Sequence, residues 1–140
     1  MRPLRREGGY PRPLGAFVSP LGILLLSGGH ERGHYALMLA TAAAAIGRPV
    51  TLFATNAGCR LLLKDAPLES DGREQELSRS GVATLGELME AAQALGIRLI
   101  ACEAGLRAES LTEEPLAEGA EIAGIVTFLA AVGSGQVISL

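Results

Sequence analysis

From residue 21 onward the chain alternates short apolar runs with longer helix-forming stretches, and few architectures accept that order. Residues 21–26 (LGILLL) contain no polar side chain, the pattern of a strand buried on both faces. Residues 49–55 and 97–101 are the next β-rich runs, and 120–123 and 137–140 are shorter ones. Helical stretches lie between them. Residues 30–46 read as a helix closed by Gly47, and Asn56 caps a short helix running through Lys64. Thr84 and Glu87 have capping-box spacing for a helix over 85–95 that ends at Gly96. Thr112-Glu113-Glu114-Pro115 opens a short helical turn, and residues 124–132 form the last helix. Strands alternating with helices through short connections predict a parallel sheet of five strands, covered by helices on both faces.

The 140 residues hold one domain, and 49% hydrophobic content is enough for a sizeable core. Residues 1–20, with four arginines and four prolines, read as a flexible arm ahead of a domain spanning 21–140. The polar stretch 64–81 has no clear period and reads as a mobile surface loop, long enough to act as a lid or to dock a partner. A mean hydropathy of +0.32 requires a search for a membrane span. The longest charge-free run, 122–140, could cross a bilayer, but Gly133-Ser134-Gly135-Gln136 interrupts it. A helix, a turn and a strand are expected there instead, with no membrane span. The apolar run at 21–26 is too short for a leader and lacks a small-x-small cleavage site. A net charge of −3 and a pI near 5.4 argue against nucleic acid as a partner. Two cysteines are too few for a disulfide framework, which favours a reducing, cytoplasmic setting. The stretch 36-ALMLATAAAAIG-47 has no polar face over three turns. Either a second subunit packs against it, or it is an inner helix beneath the arm and the long loop.

Open parallel sheets carry their sites at the carboxyl ends of the strands. Both cysteines and both histidines fall in the four loops that this rule selects. Cys102 directly follows the third strand, where backbone N–H groups can stabilise a thiolate; a buried apolar role is the alternative. Glu103 beside it would oppose that ionisation unless it points away. His30-Glu31-Arg32-Gly33-His34 is literally H-E-x-x-H. It starts at a strand-to-helix turn, contains a glycine and lacks a third zincin ligand, so a protease is not expected. A metal held by His30, His34 and Cys59 is a lesser reading, and hydrogen-bonded histidines in a polar first turn are the simpler one. Ser27-Gly28-Gly29 resembles an anion-binding turn but lacks a Walker lysine and a dinucleotide fingerprint. Ser27, Gly28, Gly29, His30, Asn56 and Glu103 are the candidate pocket residues.

Read together, residues 24–29, 40-ATAAAAIGRPVTLFAT-55, 95-LGIRLIACEAG-105 and 118-EGAEIAGIVTFLAAV-132 resemble the DsrE/DsrF-like family. More narrowly they resemble its peroxiredoxin-annotated DsrE branch. The resemblance runs from about residue 21 to the C-terminus. Its most specific element is the strand ending in Ala101-Cys102, followed by Glu121-Ile122-Ala123-Gly124. It implies a three-layer, flavodoxin-like α/β fold with a mainly parallel sheet, assembling into homo-oligomers (trimers or hexamers). It also implies sulfur relay, with Cys102 carrying a transient persulfide between small sulfur-carrier or rhodanese-like proteins, and no other cofactor. Many members of that branch have a Met-Ser pair after the cysteine, where this chain has Glu103-Ala104-Gly105. Cys59 inherits no role, though it would serve as a resolving thiol if its sulfur approaches that of Cys102. Three functions follow: a persulfide carrier or sulfurtransferase, a thiol redox sensor or regulatory oligomer, and a small metal-binding module using His30 and His34.

Overall fold

A computed structural model describes residues 18–140, so the proposed arm lies outside the described residues up to residue 17. Five strands, β1 (Leu21–Leu25), β2 (Val50–Ala54), β3 (Arg98–Cys102), β4 (Ala120–Ala123) and β5 (Gln136–Ser139), form one sheet. Every pairing within it is parallel, in the order β4-β3-β2-β1-β5. The helices are α1 (His30–Ala45), α2 (Arg73–Arg79), α3 (Leu85–Ala94), α4 (Glu103–Ala108) and α5 (Ile125–Val132), with 3-10 segments at Asn56–Leu62 and Pro67–Ser70.

Handedness explains how the layers fill. The steps from β1 to β4 all travel one way across the sheet, whereas the connection to β5 returns to the far side of β1. Right-handed crossovers therefore place α1 and α3 on one face and α5 on the other. Strand alternation follows suit. Leu21, Ile23, Leu25, Leu52, Ala54, Leu99 and Ala101 share the larger core with α1 and α3. Phe53, Ile100 and Cys102 point the other way and meet Phe128 and Val132 of α5. The Phe53 and Phe128 rings stack with centroids 5.0 Å apart. Glycine at position 22 is what lets α5 come so close, because a Cβ there would lie 2.4 Å from Val132 Cγ2.

The local signals for α3 behave as expected, with Thr84 and Glu87 forming a reciprocal capping box. The charge-free C-terminal run is broken into the end of β4, α5, a turn and β5. Among the described residues no helix is long and apolar enough to cross a membrane. On α1 the sheet side is buried, while Tyr35, Ala42, Ala45 and Ile46 are exposed.

Two expectations need correction. The stretch 64–81 is not structureless: it holds the second 3-10 segment and α2. The Asp71 carboxylate accepts the Arg73 N–H at 2.9 Å, and acidic residues open α2 while Arg79 closes it, which suits the helix dipole. Because α2 buries no residue, it leaves no apolar period to detect. The helical turn expected at 112–115 is a plain turn, and the helix after β3 comes earlier, as α4. Its cap is the sulfur of Cys102, which accepts the Gly105 N–H, in a place where Ser, Thr, Asp or Asn is usually sought.

Candidate functional site

Because the strands are parallel, the turns after β1, β2 and β3 gather at one edge of the sheet, and Cys102 ends β3 there. Its backbone is still extended, and α4 starts at the next residue. The Gly105 N–H donates to Cys102 Sγ at 3.3 Å, supplying a backbone donor where a thiolate or persulfide charge would form. The residue is 7% exposed, and its side chain belongs to the apolar cluster with Phe53, Ile100 and Phe128. Its surroundings thus combine one backbone donor with an apolar wall. Glu103 is exposed, and its carboxylate pairs with Arg107 at 3.2 Å, so the negative charge beside the thiol is answered within α4.

What holds α4 in place is a close backbone approach. A Cβ on Gly105 would lie 2.4 Å from Asn56 N and 2.6 Å from Thr55 Oγ1. Asn56 sits at φ 51°, a left-handed conformation that asparagine tolerates. A 2.8 Å ion pair between Arg60 and Glu109 ties the first 3-10 segment to the end of α4. Gly105 and Arg60 were missed in the sequence. Their importance comes from contacts across the fold, and no local pattern marks them.

Cys59 is a different kind of thiol. It is fully buried in the α1/α3 core, and its S–H donates to the Ala54 carbonyl at 3.5 Å. Burial is the largest influence and pushes this thiol up to about 11, although the Cys102 backbone N–H works in the opposite direction. Such a group stays protonated and shielded at neutral pH. Both cysteines are free; the Cys102 backbone N–H reaches the Cys59 sulfur, while the two side chains belong to different apolar clusters.

The two histidines of the H-E-x-x-H motif lie on α1 with their rings stacked at 5.8 Å. His30 is 5% and His34 7% exposed. Their Nε2 atoms are turned to other groups: His30 donates to Glu74 Oε1 at 2.7 Å, and His34 to the Ala83 carbonyl at 2.9 Å. Cys59 is not brought to them, and among the described residues no group of three metal-ligating side chains forms. Glu74 also accepts the N–H groups of Leu85 and Gly86, at 2.8 and 3.2 Å, at the N-terminus of α3. Burial alone would raise its pKa, but the hydrogen bonds from His30, Leu85 and Gly86 outweigh it and hold the carboxyl below its ordinary range. A group depressed in the folded state stabilises fully above its unfolded pKa, and that contribution is lost as pH falls through the folded value. Glu74→Gln is therefore expected to be less stable than wild type at about pH 6, with the gap in urea midpoints closing as pH falls below the ordinary carboxylate range.

Of the candidate pocket residues, Gly28, Gly29 and His30 line a cleft of about 410 Å³ together with Arg60 and Asp71. Ser27 supports its rim by accepting the Gly29 N–H at 3.1 Å. Asn56 and Glu103 belong instead to the neighbourhood of Cys102.

Comparison with known proteins agrees with the fold. Residues 21–140 match the sequence model of the DsrE/DsrF-like family. The YchN protein from Escherichia coli superimposes with a TM-score of 0.69 at 17% identity, covering 88% of this chain and 100% of its own. MTH1491 from Methanobacterium thermoautotrophicum, a protein of unknown function, gives 0.57 at 15% identity, covering 87% of this chain and 99% of its own. At these identities the two structures speak for the fold alone. No curated protein matches.

Proposed function

Since the chain belongs to the DsrE/DsrF-like family, we propose that it is a sulfur-relay protein, a persulfide carrier or sulfurtransferase acting through Cys102. The observation that carries this reading is the position of Cys102 at the carboxyl end of β3, with its sulfur accepting the Gly105 N–H. The chemistry needs no cofactor. The Cys102 thiolate attacks the outer sulfur of a donor persulfide, forming a new S–S bond as the old one breaks and the donor leaves as a thiolate. Cys102 then carries the sulfane sulfur until an acceptor thiolate attacks that outer atom and releases Cys102 as a thiolate. Oxidation states balance in each step, because one S–S bond is exchanged for another. Small sulfur-carrier or rhodanese-like proteins are the proposed donors and acceptors, in a cytoplasmic setting.

A homo-oligomer is part of the same proposal. Ile125, Val126 and Leu129 of α5 are all exposed, with Val126 at 76%, on a helix that carries no charge. An exposed apolar helix face of this kind is better accounted for by a second copy than by water. The redox-sensor reading is less well supported, because Cys59 is fully buried and burial pushes its thiol up to about 11.

Treatment with a low-molecular-weight persulfide followed by intact-mass analysis tests the proposal. Wild type and Cys59→Ser are expected to gain about 32 Da, the mass of one sulfur, and Cys102→Ser to gain nothing. Sulfur uptake by Cys102→Ser equal to that of wild type would rule out Cys102 as the carrier.

A further inference from the structure

Between Gly72 and Ala83 the chain buries no side chain; only Glu74 and Leu77 are half-covered. It is nonetheless an ordered helix and turn lying over the two least exposed polar side chains of α1. Its side-chain and carbonyl contacts with α1 are confined to its ends: His30 with Glu74 and an exposed 4.0 Å Arg73–Glu31 ion pair at one, and His34 with the Ala83 carbonyl at the other. The flanks are anchored separately. Leu68 is buried just before the segment, and the Thr84–Glu87 capping box closes α3 just after it. That box stands without Glu74, so α3 keeps a cap when Glu74 departs. Gly81, at φ 73°, supplies a pivot near the distal end. A segment with no buried apolar contacts, fastened only at its two ends, has the physical profile of a low-stability, cooperative opening unit.

We propose that residues 72–83 form a strap that opens as a unit, latched to α1 by His30 and His34, and that its opening gates access of solvent and small reagents to both imidazoles. Closed, the strap keeps the rings almost wholly covered, and His30 Nδ1 is the buried side-chain polar atom left without a partner among the described residues. Lifting the strap lets water satisfy that atom, which offsets part of the cost of breaking the latches. The inference is independent of any role for Cys102.

The test reads each latch from the other end. Glu74→Ala and His34→Leu are prepared in the full chain, then examined by diethylpyrocarbonate labelling of individual histidines and by amide hydrogen exchange. Glu74→Ala is expected to raise labelling of His34 by about tenfold or more, and His34→Leu to do the same for His30. In both variants amides at 76–80 exchange faster by a larger factor than those of β1, β2 and β3. If each substitution affects only its own end, the segment is not a unit and the proposal fails. Faster exchange spread equally through β1, β2 and β3 would also overturn it, since the latches would then be supporting the whole fold.

Discussion

Phe128→Ala is expected to cost about 3–5 kcal/mol of unfolding free energy, the largest single effect on stability anticipated in the α5 layer. The ring is 1% exposed and stacks on Phe53, and only Phe128 and Val132 of α5 are buried. With just two anchors on that helix, removing the larger leaves a cavity that Val132 cannot fill from one turn away. Domains of this size are stable by about 5–15 kcal/mol, so the loss is a large fraction of the whole. Urea unfolding followed by far-UV circular dichroism measures it. Because Cys102 lies in the same cluster, its alkylation by iodoacetamide should also accelerate in the variant. A change below about 1 kcal/mol would mean that the α5 face is not a packed core.

The second large effect falls on Gly105. In a helix interior alanine is ordinarily favoured over glycine by about 1 kcal/mol. Here the sign is expected to reverse, because the new Cβ would meet the Asn56 nitrogen at 2.4 Å and Thr55 Oγ1 at 2.6 Å. Relief requires α4 to back away from the β2 turn, which strains the Arg60–Glu109 pair and pulls the Gly105 N–H off the Cys102 sulfur. Gly105→Ala should lose about 1–3 kcal/mol, typical of overpacking, and change the alkylation rate of Cys102. Gly124→Ala is the control: nothing lies within 4 Å of its Cβ, and it should cost about 1 kcal/mol or less. A Gly105→Ala protein as stable as wild type, with unchanged Cys102 reactivity, would show that the close approach is not needed.

Elements with a strong local signature were legible in the sequence. The uninterrupted apolar run of β1, the Thr84–Glu87 cap and the glycine-broken C-terminal run each announce themselves within a few residues. α2 and α4 did not. α2 lies on the surface and has no apolar face, and α4 is capped by a sulfur and contains a glycine that its packing requires. The position of Cys102 at a strand end was readable, whereas its burial beneath Phe128 was not, because residues 102 and 128 meet only through the crossover to β5. The same holds for His30, whose partner Glu74 is 44 residues away.

By itself, then, the sequence determined the alternation of strands and helices, the parallel sheet and the candidate thiol. All of these depend on hydrophobic period and turn chemistry, which act over a few residues. The tertiary structure decided which of the two thiols caps a helix at the carboxyl edge of the sheet and which is sealed in the core. It also turned an apparent zinc motif into a pair of latches. Those outcomes depend on strand order, the handedness of the last crossover and contacts between distant segments. No local pattern encodes them, because their energies are set by burial and geometry that exist only once the chain has closed on itself.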